Sequence, residues 1–335
     1  MAIRPLLLFL SSWLLLVAPL KAEDLQFFSI GTGGVTGTYY PIGALIAGII
    51  SSPPGARACE DGGSCGVPGL IASAQSSNGS VANVEAVAEG TLDSGFAQSD
   101  ITHWAYSGTG IYEGKPRIDN LRVIASLYPE SIHLVARRGS GIETIKDLVG
   151  KRVSLDEQGS GTLVDARIIL DAFGIDESDF EPHFMKPNIA IAEMREDRLD
   201  AFILIAGYPS GAVTELVASE TVDLIPITGS EVEALLKEHE FFAEDVIPAG
   251  TYRGIDEILT LSVGAQWVIS ADADEDLVYN LTRALWHETA RALLDNGHAQ
   301  ARSITLSTAL DGIAIPLHPG AARYYREIGL MDKRS

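Results

Sequence analysis

The sequence is short of basic residues. It has 24 Lys and Arg against 45 Asp and Glu, a formal net charge of −21. A chain this acidic does not bind nucleic acid or an anionic membrane surface through its overall charge. A small anionic ligand is still allowed, because backbone dipoles at contact range can outweigh a distant global field. The charge therefore excludes a nucleic-acid partner and leaves small-molecule binding open.

Cysteine is also scarce, with only Cys59 and Cys65 in the chain. Two thiolates are too few for a structural zinc site, and no histidine lies at zinc-finger spacing. A close cysteine pair around a Gly-rich loop is typical of a disulfide in an exported protein. We therefore predict a Cys59–Cys65 disulfide on an exposed loop, and no metal site.

Motifs for catalysis and cofactor binding are missing. Residues 207–211 resemble a G-x-S-x-G nucleophile elbow but lack its pattern, and residues 287–291 fail the H-E-x-x-H test at the last position. No G-K-S/T occurs, so a Walker loop is absent. The sequence therefore predicts neither an enzyme nor a bound cofactor.

Long apolar runs are confined to the N-terminus. Arg4 precedes the apolar stretch 6–17, and Leu20-Lys21-Ala22 is a suitable cleavage tripeptide. This stretch is shorter than the roughly 20 residues that span a bilayer, and no later run is longer. We predict a signal peptide over residues 1–22 and a periplasmic mature chain; the alternative is a retained anchor.

The most informative motif in the sequence is a glycine-rich stretch, residues 31–37. It follows an apolar strand-like run, 25–30, and precedes an apolar segment of helical length, 42–50. A turn of this kind gathers unpaired backbone N–H groups at the positive end of a helix dipole, where a carboxylate or phosphate can bind. A simple capping turn is the alternative. A dinucleotide site is a weaker one, since the spacing is G-x-G-x-x-T.

The same strand–turn–helix pattern recurs twice. A strand at 70–74 leads through a polar turn to a helix at 81–89, which Ser80 is placed to cap. A strand at 152–155 opens into Gly159-Ser160-Gly161-Thr162 and a helix over 163–173. Ligands in open α/β sheets lie outside the carboxyl ends of the strands, so these turns predict a cleft.

The remaining patterns connect the two units. The apolar run 121–127 is interrupted at 128–130 and resumes as a strand over 132–137. The apolar run 258–269 is expected to return and pair with the segment around 126–131, as a hinge. The pattern over 275–294 predicts one amphipathic helix.

Several ordered motifs resemble those of TAXI-type solute receptors of TRAP transporters, over nearly all of the mature sequence. The resemblance implies a two-lobed α/β fold of the periplasmic binding protein type, with lobe 1 over 23–127 and 263–335 and lobe 2 over 128–262. It also implies a monomer that delivers a small solute, similar to glutamate or 2-oxoglutarate, to membrane permease subunits. The motifs are residues 30–33, 39–41, 79–84, 95–100, 147–154, 159–162 and 316–321.

The turns and the resemblance together predict a ligand site formed by glycines, hydroxyls and amides at the ends of strands. Asp100, if it lines the cleft, would suit a ligand ammonium and so favour an amino acid. A transport receptor is favoured over a ligand-presenting sensor and over an exported α/β enzyme with a phosphate cofactor. The candidates are Gly33, Gly34, Thr36, Tyr39, Ser76, Asn78, Ser80, Gln98, Asp100, Ser131, Ser160, Gly161, Thr162, Gly207 and Pro209.

Overall fold

The computed structural model describes residues 25–219 and 221–332. The predicted signal peptide, residues 1–22, lies outside the described residues. Within them, no helix combines the length and the apolar character needed to cross a membrane.

Twelve strands and ten α-helices alternate along the described chain. The strands are β1 (Gln26–Gly31), β2 (Ser51–Ser52), β3 (Val67–Pro68), β4 (Leu70–Gln75), β5 (Ser94–Gln98), β6 (Leu121–Arg137), β7 (Arg152–Ser154), β8 (Glu181–His183), β9 (Ala201–Ala206), β10 (Val222–Ile225), β11 (Ala243–Ile247) and β12 (Ile258–Ser270). The helices are α1 (Tyr39–Ile50), α2 (Ser80–Ala88), α3 (Ser99–Ser107), α4 (Gly161–Ala172), α5 (Pro187–Arg195), α6 (Gly211–Val217), α7 (Ser230–Glu238), α8 (Glu275–Leu285), α9 (Glu288–Gly297) and α10 (Pro319–Glu327).

Ten of the strands form one sheet that runs through both halves of the molecule. Its order is β4-β1-β5-β12-β6-β9-β7-β8, with β10 on β6 and β11 on β12. The long antiparallel strands β6 and β12 are shared: β5 pairs with one end of β12, and β9 pairs with the opposite end of β6. The predicted pairing of the 258–269 run with the segment around 126–131 is confirmed, since Ser262 lies opposite Ser131 and Gln266 opposite Ser126.

The predicted interruption at 128–130 is wrong, because β6 is continuous from Leu121 to Arg137. Pro129 lies opposite Gly264 of β12, and on the other edge of β6 the pairing with β9 begins only at Ser131. A proline is tolerated where its missing N–H would face no partner strand. The Pro129 carbonyl accepts a hydrogen bond from the Gln300 amide at 3.2 Å.

The predicted single helix over 275–294 is two helices, α8 and α9, that meet at Trp286 and His287. His287 is the N-cap of α9, and its Nδ1 accepts a hydrogen bond from the Thr289 N–H at 3.3 Å. Apolar spacing on one face continues across the break, and for this reason the sequence pattern gives no sign of it.

Buried apolar side chains form separate clusters on the two sides of the shared strands. The clusters around α1 and α8 and around α2 and α3 draw their buried members from residues 28–125, 127–128 and 265–325. The other two clusters draw theirs from 132–263. The halves also touch, since the Trp104 and Phe241 rings meet edge to face with centroids 4.9 Å apart.

The segment between α1 and β4 carries the disulfide, as predicted. Cys59 is bonded to Cys65, and the short strands β2 and β3 pair at the base of the loop. This segment lies apart from the strand ends described next.

Candidate ligand-binding cleft

A cavity lies where the carboxyl ends of β1, β4 and β5 from one half face those of β7 and β9 from the other. Its volume is about 60 Å³, small against the roughly 300–1,000 Å³ of pockets for drug-sized ligands. In this arrangement the halves enclose space for a small solute only. The lining residues are Gly33, Gly34, Gly37, Thr38, Tyr39, Asn78, Gly79, Ser80, Gln98, Glu130, Asp156, Glu157, Ser160, Gly161, Thr162, Pro187, Leu204, Ile205 and Ala206.

The N-termini of four helices, α1, α2, α4 and α5, open on this cavity. The first residues of these helices, Tyr39, Ser80, Gly161 and Pro187, all belong to its lining. Each helix start presents backbone N–H groups and a partial positive charge. The arrangement therefore favours a carboxylate at the helix starts even though the protein as a whole is acidic.

The wall formed by β6 carries the opposite charge character. Glu130 is 2% exposed, and one of its carboxylate oxygens accepts a hydrogen bond from the Tyr39 hydroxyl at 2.6 Å. Burial raises the pKa of Glu130 to about 8, and the Tyr39 hydrogen bond opposes that rise. None of the lining residues is lysine or arginine. A cationic group on a ligand would therefore meet a buried carboxyl that lacks a cationic partner in the lining.

Two further carboxyl groups follow β7. Asp156 has a positive φ of 72°, and burial raises its pKa to about 7, against the hydrogen bonds that it accepts. Glu157 lies 3.3 Å from the Lys186 ammonium, and burial raises its pKa while Lys186 lowers it. The cavity thus combines positive helix ends with acidic side chains on one small surface.

Hydrogen bonds join the two halves around the cavity. The Ala82 N–H donates to the Gly159 carbonyl at 3.0 Å, and the Ala212 N–H donates to the Thr36 carbonyl at 2.9 Å. The Asn78 amide donates to the Gln158 carbonyl at 3.1 Å. These contacts define a closed arrangement, in which the glycine-rich turns of the two halves face one another.

The structure brings most of the predicted ligand residues to this cavity and places the others beside it. Residues in the lining are Gly33, Gly34, Tyr39, Asn78, Ser80, Gln98, Ser160, Gly161 and Thr162. Predicted residues outside the lining are Thr36, Ser76, Asp100, Ser131, Gly207 and Pro209.

Residues outside the lining have other partners. The Ser76 hydroxyl donates to the Gly33 carbonyl at 3.0 Å and so holds the glycine turn. The Gly207 N–H donates to the Thr38 hydroxyl oxygen at 3.0 Å, across the two halves. Ser131 donates to the Asp245 carboxylate. Asp100 is fully buried in the first turn of α3, and Pro209 lies beyond the end of β9.

The expected helix cap at Ser80 is wrong in detail. Gly79 is the N-cap of α2, and the Ser80 hydroxyl instead exchanges hydrogen bonds with Gln98, accepting from its N–H at 3.1 Å and donating to its Oε1 at 3.2 Å. Ser80 is therefore part of the polar wall of the cavity.

The Ser160 and Thr162 hydroxyl oxygens are already used as acceptors. Ser160 accepts from the Leu163 N–H at 3.1 Å as the N-cap of α4, and Thr162 accepts from the Ile205 N–H at 3.2 Å. Both hydroxyls also lower the pKa of Asp156 by hydrogen bonding to it. In the absence of a ligand, the Ser160 and Thr162 hydroxyls therefore stabilise the turn and the Asp156 carboxylate.

Ser160→Ala is therefore expected to reduce the free energy of unfolding by about 1 kcal/mol, because α4 loses its side-chain cap. Urea denaturation of the ligand-free protein measures this. Ser178→Ala is the control, since Ser178 is exposed and is not a helix N-cap. A Ser160→Ala midpoint equal to that of the wild type would contradict the capping role.

Glu130 and Asp156 are the principal residues that sequence reasoning missed. Glu130 is a charged residue between the apolar runs 121–127 and 132–137, and this position was the available signal. Asp156 comes two residues after the end of β7, in the kind of position where the other polar candidates were chosen. Choosing acidic as well as hydroxyl residues at the carboxyl ends of the strands would therefore have included Asp156.

The chain belongs to the NMT1-like family, whose model matches residues 30–329. It is similar in structure to a protein from Bordetella bronchiseptica RB50, with 16% identity, 94% of this chain and 92% of that chain covered, and a TM-score of 0.53. It is also similar to PhnD1 from Prochlorococcus marinus (MIT 9301), solved with methylphosphonate, with 13% identity, 91% and 99% of the two chains covered, and a TM-score of 0.51. The predicted mixed α/β fold is confirmed by these similarities, which at such identities concern the fold alone.

Proposed function

We propose that the protein is an exported solute receptor that binds a small amino acid between two lobes and delivers it to a membrane permease. The observation that carries the proposal is the cavity itself, where four helix N-termini and the buried Glu130 carboxyl meet. PhnD1, similar in fold, was solved with a small ligand bound. The family membership and the absence of catalytic motifs from the sequence also support a binding role over an enzymatic one.

The ligand combines a carboxylate with an ammonium. Helix N-termini stabilise the carboxylate through backbone N–H donors. The ammonium contacts Glu130, because a cation beside a buried carboxyl favours its ionised form. A plain dicarboxylate or a 2-oxo acid leaves Glu130 without a counter-charge, so an acidic amino acid such as glutamate fits this surface better than 2-oxoglutarate does.

The lobes follow the sequence-based division, with 23–127 and 263–335 in one and 128–262 in the other. The separate apolar clusters and the two shared strands support this division. Ligand contacts from both lobes couple binding to closure, since each contact that forms only when the lobes are closed stabilises the closed state. The TAXI resemblance supports permease subunits of a TRAP transporter as the partner, with the receptor acting as a monomer in the periplasm.

A thermal-shift screen tests the proposed function. L-glutamate, L-glutamine, aspartate, 2-oxoglutarate, succinate and methylphosphonate are added to the purified mature chain. An amino acid at about 100 times its dissociation constant is expected to stabilise the protein by about 2.7 kcal/mol, which raises the melting temperature. A shift with methylphosphonate alone, or with the dicarboxylates but no amino acid, would contradict the proposed ligand class.

A further inference from the structure

Two carboxyl groups from opposite lobes meet behind the cavity. Asp100 lies in the first turn of α3 and Asp165 in the second turn of α4, and neither side chain is exposed to solvent. The Gln98 amide, two residues before Asp100 in the chain, donates a hydrogen bond to an Asp165 oxygen at 3.0 Å, and each of the two carboxyl groups shifts the pKa of the other. This contact crosses the boundary between the halves, so it exists only when they are closed.

The surroundings offer this pair little compensation for two negative charges. One Asp165 oxygen accepts a hydrogen bond from the Gln98 amide at 3.0 Å, while its other oxygen and both Asp100 oxygens have no hydrogen-bond donor within bonding geometry. No ion pair of the described residues involves either group. Two adjacent buried carboxylates without a cation cannot both be ionised at low cost.

We propose that Asp100 and Asp165 bind one proton between them when the lobes close, so that closure takes up a proton from solvent. A shared proton converts the repulsive contact into a hydrogen bond between an acid and a carboxylate. The proposal rests on the two-lobed receptor described above and adds the proton as a second ligand of the closed state. It concerns residues behind the solute cavity rather than its lining.

The neighbouring charged groups act in both directions. Burial raises the pKa of Asp100, and the Asp165 side chain opposes the rise most, followed by the Ile101 N–H, its own N–H and the His103 side chain. For Asp165, burial acts first and the charges of Asp100 and Glu130 add to it, so its pKa lies well above the usual range. When the lobes separate, the two carboxyls part, and the repulsion that raises the pKa of Asp165 is relieved. Because the pKa is higher in the closed state, the closed state holds more protons than the open one, and closure becomes less favourable as the pH rises.

Small-angle X-ray scattering of the ligand-free protein from pH 5 to pH 8 tests the proposal without any solute. The Glu130→Gln variant is the starting point, because Glu130 faces the same pair and titrates as well. In this background the closed-to-open ratio is expected to fall by up to about tenfold per pH unit, the response to one proton. The radius of gyration should therefore increase with pH.

Adding Asp100→Asn, or in a second variant Asp165→Asn, is expected to abolish this pH response and keep the protein closed at pH 8, since the amide replaces the protonated acid. Asp171→Asn is the matched control, on the same helix as Asp165 but exposed, and it should retain the response. A pH-independent radius in the starting background, or an unchanged response in both asparagine variants with native circular dichroism, would overturn the proposal. Solute binding in the thermal-shift screen alongside such a result would leave the receptor function standing.

Discussion

Glu130→Gln is expected to weaken binding of an amino-acid ligand by about 100-fold, because removing one partner of a buried charge pair costs roughly 2–5 kcal/mol. The glutamine keeps the shape of the side chain and can still accept the hydrogen bond from Tyr39. Isothermal titration calorimetry with the amino acid that gives the largest thermal shift measures the loss. Glu181→Gln is a suitable control, since Glu181 is an exposed residue of the edge strand β8.

The same substitution should stabilise the ligand-free protein at high pH. Burial raises the pKa of Glu130 from 4.5 to about 8, so the folded wild type binds more protons than the unfolded chain between those values. The contribution of Glu130 to the free energy of unfolding is therefore lost as the pH rises through this window. The melting temperature of Glu130→Gln should exceed that of the wild type at pH 8 and match it at pH 4. A variant that loses affinity but gains no stability at pH 8 would contradict a buried, uncompensated carboxyl.

Gly161→Ala is expected to produce a comparable loss of affinity by a steric route. A Cβ on Gly161 would lie 1.3 Å from the Gln98 Oε1 and 2.9 Å from the Ser80 hydroxyl oxygen, both on the opposite lobe. Gln98 is 3% exposed and bonded to both Ser80 and Asp165, so it has little room to retreat. The closed state becomes rare, and the apparent dissociation constant rises in proportion to the lost closed fraction.

The open lobes should be unaffected by this methyl group. The expected result is therefore an affinity about 100-fold lower, or 2.7 kcal/mol, with an unchanged denaturation midpoint in the absence of ligand. Gly48→Ala in α1 is the control, because its added Cβ meets no atom within 4 Å. It should leave binding intact and raise stability by roughly 0.5–1 kcal/mol. Wild-type affinity in Gly161→Ala would show that the two turns do not approach one another when the ligand binds.

The sequence predicted the parts of the fold that depend on local pattern. Strands and helices around the two glycine turns lie where apolar spacing placed them, and β12 pairs with β6 as expected. The continuity of β6 through Pro129 depends on which edge of the strand is paired, and this is a tertiary property. The break between α8 and α9 at His287 leaves the apolar stripe unchanged and so has no periodic signal.

For the site, strand ends were a good guide to position and a poor guide to chemistry. Hydroxyls and glycines were chosen as donors for an anion, and several of them bond to the protein instead. The sequence places the charged Glu130 between two apolar runs, but its burial in the wall of the cavity depends on the fold, and for this reason it was not chosen. Asp100 was considered as an ammonium partner, but it lies outside the cavity lining, which contains Glu130 instead. The fold brings the Asp100 region to Asp165, 65 positions further along the sequence, through the Gln98–Asp165 hydrogen bond.

The most direct test compares an amino acid with its 2-oxo counterpart. The two differ only at Cα, where the amino acid carries an ammonium group and a hydrogen and the 2-oxo acid a carbonyl oxygen. Calorimetric titration of the wild type at pH 7 with L-glutamate and 2-oxoglutarate, and with L-glutamine and its 2-oxo analogue, makes the comparison. We predict that the amino acid of at least one pair binds about 100-fold more tightly than its 2-oxo acid, as a buried charge pair requires. Equal or tighter binding of the 2-oxo acid in both pairs would contradict it.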